Sequence, residues 1–206
     1  MNNQYYILDD EENQLGPFTY NELIERDIDM HTQVLGATNE WQYASEMPEF
    51  YNYFKSKGIH FPTGDNIAGI GWRILALFID FILLGIVVEL VAVKFGWLKL
   101  PADLEHITMP SADEAMIIQG MFLGLYLIYN TLLELTPWKG GVGKKICGLR
   151  VVDANGQNLS FFKSAGRNLG VILSIILSYI PFLSVFINEH KQAWYDKLTD
   201  AYMIKV

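Results

Sequence analysis

WRILALFIDFILLGIVVELVAV, residues Trp72–Val93, is the stretch that decides the fold of this chain. It contains 22 residues and only three ionisable side chains, Arg73, Asp80 and Glu89. A helix of this length rises roughly 33 Å, which is enough to cross the hydrocarbon core of a bilayer. The stretch therefore predicts a transmembrane helix over residues 72–93.

Two further apolar segments follow it along the chain. They are AMIIQGMFLGLYLIYNTLLEL, within residues 115–135, and NLGVILSIILSYIPFLSVFI, within residues 168–188. Three such segments in the last 135 residues are more than a soluble fold of this size could bury. Residues 72–206 are therefore predicted to form an all-α polytopic membrane domain, a helical bundle, and not the core of a soluble protein.

The residues before these segments have the opposite character. Residues 1–71 carry three basic and twelve acidic side chains, so their net charge of -9 is larger in size than the -8 of the whole chain. We expect a small soluble α+β domain over residues 1–57 and a linker over residues 58–71. An acidic chain does not suit nucleic-acid binding, and a single cysteine, Cys147, excludes an intrachain disulfide.

Local signals predict the elements of this N-terminal domain. YYIL, residues Tyr5–Leu8, is typical of a strand, and Thr19 with Glu22 has the spacing of a helix capping box. We expect Trp41 and Met47 to lie in the core of the domain.

Loop charges predict the orientation of the chain in the membrane. Residues 136–167 carry a net charge of +5, and residues 96–114 carry a net charge of -3. The loop that is rich in Lys and Arg belongs in the cytoplasm by the positive-inside rule. We therefore expect a multi-pass protein of the cell membrane, in a bacterium the inner membrane, with its N-terminal domain in the cytoplasm.

Two strand-like stretches leave the topology of the last apolar segment open. KICGLRVVDANG, residues Lys145–Gly156, and TDAYMIKV, residues Thr199–Val206, both have strand patterns. If they pair as a short cytoplasmic β element, the C-terminal residues are cytoplasmic and the 168–188 segment is a broken hairpin. If that segment crosses the membrane once, the C-terminal residues lie outside.

Polar residues inside the apolar segments mark a candidate site. An aspartate such as Asp80 near a helix centre costs on the order of 3 kcal/mol on insertion, so it needs a partner or water. Arg73 lies two turns earlier on the same helix face and is expected to compensate the charge of Asp80. A polar stripe on the second segment consists of Gln119, Tyr126, Asn130 and Glu134.

Arg73 and Asp80 in GWRILALFID, together with Asp196 in KQAWYDKLTDAYMIKV, resemble the pattern of the RDD family of membrane proteins. The family is named for one arginine and two aspartates, and the resemblance covers residues 70–206. Transport of a ligand or an ion has been suggested for some of its members. We therefore expect a buried polar cluster that handles a small ligand, a cation or a proton, made of Arg73, Asp80 and Asp196 with Asn130 and Glu134.

A second resemblance concerns the N-terminal domain. The residues that carry it are Tyr6, Gly16-Pro17, Leu23, Val34, Trp41, Ala44 and Pro48. This pattern resembles the short GYF-like domain known as GYF_2. GYF domains bind proline-rich peptides, which implies a stacking surface of Tyr6, Phe18 and Trp41 for a polyproline II ligand. The alternative is that these three aromatic side chains form the core of the small domain.

Two functions agree with these features. The first is a membrane-anchored adaptor whose N-terminal domain recruits a cytoplasmic protein or a proline-rich peptide. The second is a transporter of a small ligand, cation or proton, which would need a homo-oligomer because three spans are few for a monomeric transporter. Membrane lipids are partners in both cases. The scattered histidines lack metal-ligand spacing and no catalytic motif is found, so we expect no enzyme, no metal and no cofactor.

Overall fold

The structure, a computed structural model, describes residues 4–9, 11–96, 111–177, 184–185 and 191–206. Its contacts divide the chain into two units, Met1–Phe61 and Pro62–Val206. The boundary falls inside the stretch that the sequence predicts to be a linker. Phe61 packs in the core of the first unit, whereas the backbone N–H of Ala68 donates to the carbonyl of Met203 in the second unit at 2.8 Å.

The first unit contains a four-stranded antiparallel sheet with the strand order β2-β1-β3-β4. Its elements are β1 (Tyr5–Leu8), β2 (Gln14–Phe18), α1 (Tyr20–Glu25), β3 (Gln33–Leu35), β4 (Trp41–Tyr43) and α2 (Tyr51–Ser56), with short 3-10 turns over Ala44–Glu46 and Pro48–Phe50. The predicted capping box is confirmed, because Thr19 accepts from the backbone of Glu22 and the Glu22 carboxylate accepts from the backbone of Thr19.

The core of the first unit lies between one face of this sheet and the helices. Tyr5, Val34, Met47 and Phe50 are all buried there. The expectation that Trp41 lies in this core is wrong, because its side chain is 39% exposed. Alternation along β4 places the residues on either side of Gln42 on the outer face of the sheet.

The second unit is mostly helical. Its elements are α3 (Ile70–Lys94), α4 (Ala112–Glu134), α5 (Val142–Ile146), β5 (Leu149–Val152), α6 (Phe161–Ile176), α7 (Trp194–Leu198) and β6 (Tyr202–Lys205). The helices α3 and α4 are long and apolar enough to cross a bilayer, and only about a fifth of the residues in their most apolar windows are buried. The core helices of a soluble protein are in contrast largely covered.

The two strands predicted near the end of the membrane domain pair with each other. Strands β5 and β6 form an antiparallel ladder in which Leu149 faces Lys205 and Val152 faces Tyr202. Ile67, which precedes α3, forms a bridge to Ile204 of β6. The last residues of the chain therefore lie beside the start of α3.

The third predicted segment, residues 168–188, is described only in part. Helix α6 begins before it and ends at Ile176, while residues 178–183 and 186–188 lie outside the described residues. The indole N–H of Trp194 donates to Ser174 Oγ at 3.0 Å, so the chain returns to the helix that it left.

Candidate functional site: a buried ionic cluster

Five helices each contribute one charged side chain to a common site in the second unit. These residues, called the ionic cluster below, are Arg73 of α3, Glu134 of α4, Lys144 of α5, Arg167 of α6 and Asp196 of α7. All five are buried. Because a buried charge is costly unless it is paired, the contacts of each member decide what the cluster can do.

Glu134 is the most heavily bonded carboxylate of the cluster. Its Oε1 accepts from Arg167 Nη1 at 2.7 Å and from Lys144 Nζ at 3.1 Å. Its Oε2 accepts from Ser164 Oγ at 2.6 Å and from Asn168 Nδ2 at 3.1 Å. Four donors therefore hold the last residue of α4 against α5 and α6.

Asp196 joins the two arginines of the cluster. Its Oδ1 accepts from Arg167 Nε at 2.7 Å, and its Oδ2 accepts from Arg73 Nη1 at 3.2 Å. The backbone N–H of Ala193 also donates to Oδ2 at 3.3 Å, which places the carboxylate at the first turn of α7. Arg73 Nε donates in addition to the carbonyl of Ala68 at 3.1 Å.

Asp80 lies next to the ionic cluster but is held by neutral donors. Its Oδ1 accepts from the backbone N–H of Gly143 at 2.7 Å and from the Tyr129 hydroxyl at 2.8 Å. Among the described residues, the ion pairs of the site go to Glu134 and Asp196, and none goes to Asp80. The expectation that Arg73 directly compensates Asp80 therefore does not match the geometry.

Two glycines allow α5 to approach Asp80 this closely. A Cβ at Gly143 would lie 2.2 Å from the carbonyl oxygen of Ala76, and a Cβ at Gly141 would lie 2.6 Å from Asp80 Oδ2. The sequence GGVGKK is thus a close-packing segment against α3. Lys144 of this segment is buried and bonds to Asn130 Oδ1 and Glu134.

A small cavity lies beside the cluster. Its volume is about 40 Å³, and its polar lining includes Arg73, Asp80, Lys144 and Arg167. Arg73 Nη2 is buried and has no hydrogen-bond partner among the described residues. A cavity of this volume has room for a few water molecules or one small ion.

The charges of the site balance when all six ionisable groups are charged. Three cations, Arg73, Lys144 and Arg167, face the carboxylates of Glu134, Asp196 and Asp80. Among the described residues, no group of three or more His, Cys, Asp or Glu side chains has the arrangement of a metal site. The cluster can thus fix the helices relative to each other, and Arg73 Nη2 can donate to water or to a small anion in the cavity.

Burial also affects two residues outside the predicted spans. It lowers the pKa of the Lys139 ammonium group, which donates to the carbonyl of Gly156 at 2.6 Å, and repulsion by Arg150 adds to this effect. Burial raises the pKa of the Cys147 thiol, and the negative charge of Asp80 acts in the same direction. Both side chains between α4 and β5 are therefore shielded from water.

The structure brings together most of the residues that the sequence singled out. Asn130, Glu134, Arg73, Asp80 and Asp196 are buried in or next to the cluster. Gln119, predicted to share their stripe, is exposed and lies outside the cluster.

Sequence reasoning missed the partners that complete the cluster. They are Lys144, Ser164, Arg167 and Asn168, with Tyr129 and Gly143 at Asp80. A signal for part of this set was present. Ser164, Arg167 and Asn168 have helical spacing and form a polar face on a helix whose other residues are largely apolar.

The aromatic residues predicted to bind a peptide are divided between two faces of the first unit. Tyr6 of β1 faces Leu35 of β3, and Leu35 faces Trp41 of β4, so the three residues form one row across the outer face of the sheet. Phe18 instead faces buried Tyr5 and packs against the core. Tyr6 and Trp41 therefore belong to one surface, called the aromatic row below, and Phe18 does not.

Comparison with known proteins supplies a family and one relative. A model described as the RDD family matches residues 67–200. Uncharacterized protein YxaI of Bacillus subtilis (strain 168) is 29% identical over 133 residues, which cover 60% of this chain and 88% of that protein. No solved structure matches the chain.

Proposed function

Since this chain belongs to the RDD family, whose domains are associated with membranes, we propose that it is a membrane-anchored adaptor protein. In this proposal the second unit is a multi-pass anchor in the cell membrane, and the first unit lies in the cytoplasm and recruits a partner. In a bacterial cell this membrane is the inner membrane. The proposal includes no catalytic step, metal or cofactor.

The observation that carries the proposal is the pairing of Glu134 and Asp196 with buried cations of the ionic cluster. Both carboxylates that form ion pairs are saturated by donors from the protein itself. A buried polar network of this kind serves to fix one arrangement of helices. This supports a scaffold more than a path for a substrate.

The aromatic row supports the first unit as the recruiting module. Tyr6, Leu35 and Trp41 place two aromatic rings and an aliphatic side chain in line on an outer sheet face. Polyproline II segments dock on such aromatic surfaces with little entropic cost. The resemblance to the GYF_2 domain is part of this proposal, with a proline-rich cytoplasmic peptide as the ligand of the row.

A pull-down with the full chain in detergent tests the adaptor function. The bait is wild-type protein and the probe is a proline-rich peptide library, and Trp41→Ala is expected to reduce capture about tenfold, because an aromatic anchor contributes about 1.4 kcal/mol or more. Leu15→Ala is the matched control, since Leu15 is 38% exposed in the same sheet but lies outside the row. Equal capture by wild type and Trp41→Ala would reject the row as the binding surface.

Transport of a proton or a small cation is the second candidate function. It is favoured by one observation, the cavity lined by Arg73 with its unpartnered Nη2 and by Asp80, which has no cationic partner among the described residues. Flux into vesicles that contain the full chain tests it. Asp80→Asn should abolish flux and the exposed Glu89→Gln should not, whereas unchanged flux in Asp80→Asn would remove Asp80 from any transport mechanism.

A further inference from the structure

Several large apolar side chains are exposed at the end of the second unit that holds the ionic cluster. They are Trp72, Trp138, Ile146, Phe161, Phe162 and Leu198, and they are called the collar below. Phe162, Leu198 and Ile146 are the most exposed, at 84%, 76% and 67%. Large exposed apolar side chains in such number are uncommon on surfaces that face water alone, which favours a contact with something apolar.

The collar residues come from different elements, and three of them lie at or next to the ends of helices. Trp72 lies in the first turn of α3, and Trp138 follows the last residue of α4 by one turn. Phe162 lies in the first turn of α6, and the next turn bonds to Glu134 through Ser164. Trp72, Trp138 and Phe162 therefore lie near the end of the unit where α3 and α6 begin and α4 ends.

Helix α6 has a polar buried face and an apolar exposed face. Its buried face is polar and carries Ser164, Arg167 and Asn168, while Leu169, Leu173 and Ile176 are exposed. This is the reverse of an amphipathic helix in water, which turns its apolar face inward. The exposed face of α6 thus continues the apolar surface from the collar towards the membrane helices.

Lysine side chains lie directly on the two tryptophans of the collar. Lys205 Nζ is 3.1 Å from the ring centroid of Trp72, and Lys145 Nζ is 3.4 Å from the ring centroid of Trp138. Tryptophan prefers the boundary between hydrocarbon and headgroups, and lysine ammonium groups attract anionic lipid phosphates. Each pair therefore places an aromatic ring and a lysine ammonium group in direct contact.

We propose that the collar binds the headgroup layer of anionic phospholipids, with the Trp72–Lys205 and Trp138–Lys145 pairs as the two phosphate contacts. The ring of each tryptophan lies at the boundary of the acyl chains, and its lysine bonds to a lipid phosphate. The inference rests on the membrane anchoring in the proposed function, and it does not depend on the aromatic row or on any recruited partner. It also places the β5–β6 ladder at the membrane surface.

Fluorescence quenching by brominated lipids tests this assignment. The full chain is reconstituted in mixed vesicles of phosphatidylcholine and phosphatidylglycerol, in which either one or the other lipid carries bromine on its acyl chains. Trp72→Phe and Trp138→Phe isolate the collar signal from the other tryptophans. Brominated phosphatidylglycerol should quench the collar tryptophans more, because one lysine near an anionic surface enriches that lipid roughly fivefold.

Charge variants distinguish a contact between lysine and anionic lipid from burial of the tryptophan rings in the bilayer alone. Lys145→Gln with Lys205→Gln should make the two brominated lipids quench equally, whereas Lys55→Gln, on the exposed surface of α2, should leave the preference intact. Equal quenching by both lipids in the wild type would overturn the proposal. Absence of quenching by either lipid would also overturn it, and would indicate that a protein partner covers the collar. Loss of peptide capture with preserved lipid quenching would reject the adaptor function alone.

Discussion

Glu134 is the side chain on which three helices of the second unit depend. If Glu134→Gln is made, Arg167 and Lys144 lose their shared anionic partner while they stay buried. Removing one partner from a buried ion pair costs about 3–5 kcal/mol, so the variant should unfold at a clearly lower temperature or denaturant concentration. Unfolding of the protein in detergent, followed by circular dichroism, measures this change.

Two further variants show whether the loss of stability in Glu134→Gln arises from the buried cations that are left without a partner. Glu89→Gln removes a carboxylate from an exposed position of α3 and should leave the midpoint unchanged. Adding Lys144→Met to Glu134→Gln removes one of the stranded cations and should recover part of the lost stability. If the double variant is no more stable than Glu134→Gln, the pairing of Lys144 with Glu134 is not what stabilises α5.

Cys147 provides a second test at the level of a single residue. Its thiol is buried, and its pKa is raised by that burial and by Asp80, so little thiolate is present at neutral pH. Because the thiolate is the reactive form, a maleimide should modify Cys147 in the folded protein on the order of tenfold more slowly than an exposed cysteine.

The matched exposed cysteine is Ser56→Cys, at the last residue of α2. Mass spectrometry of the peptides compares the two sites in the same molecules over time. Raising the pH should speed the labelling of Ser56→Cys first and of Cys147 only at higher pH, because the pKa of Cys147 is raised. Equal rates at both sites in the folded protein would contradict the burial of Cys147, while denaturant should equalise them.

Some buried charged residues of the site can be predicted from the sequence, and others cannot. Asp80 and Glu134 are visible because a carboxylate inside an apolar segment is costly and needs a reason. Lys144 and Arg167 are hidden because a basic residue in a glycine-rich loop or beside an apolar segment is typical of a solvated or lipid-facing position. Only the fold shows that these cations turn inward to the carboxylates.

Among the elements, α5 has a position that depends directly on its glycine residues. Its glycines let five residues of helix lie against α3, where the backbone N–H of Gly143 bonds to Asp80. Gly143→Ala would place a methyl group 2.2 Å from the Ala76 carbonyl oxygen, and backbone cannot give way as a flexible side chain can. We expect a loss of about 1–3 kcal/mol of stability, measured by unfolding in detergent.

Gly120→Ala is the matched control for this element. It replaces a helical glycine of α4 around which no heavy atom lies within 4 Å of the new Cβ. This change should be neutral or should add about 0.5–1 kcal/mol, because alanine favours the helix more than glycine does. A Gly143→Ala protein as stable as the wild type would mean that α5 can move away from α3 without loss.

Prediction of the elements from the sequence succeeded where the signal was local. The hydropathy of α3, the capping box before α1 and the strand patterns of β5 and β6 each depend on neighbours in the chain. It failed for Trp41, because burial depends on which sheet face a residue occupies and the strand is only three residues long. Helix α6 was only partly recognised, since its polar buried face interrupts the apolar run that a hydropathy pattern needs.

At the scale of the whole molecule, the burial of basic residues lowers the net charge that the 136–167 stretch presents to the membrane, but this charge stays positive. Of the six basic residues in the 136–167 stretch, Lys139, Lys144 and Arg167 are buried and do not act on the membrane surface. Three basic residues and one aspartate are left, a net charge of +2, while the 96–114 stretch has a net charge of -3. The bias still predicts that the first stretch faces the cytoplasm.

Cysteine labelling in intact cells tests this topology. In a Cys147→Ala background, Ala102→Cys should react with a membrane-impermeant maleimide added outside, because the acidic stretch is predicted to face that side. Asn155→Cys, in the turn after β5, should react only after the cells are opened. A cysteine placed at Val206 should behave like Asn155→Cys, since the backbone N–H of Val206 bonds to the carbonyl of Gly148 beside β5. Labelling of Val206→Cys from outside would contradict the interpretation of the 168–188 segment as a broken hairpin. Labelling of Asn155→Cys from outside would show that the orientation is the inverse of the predicted one, with the collar at the outer leaflet.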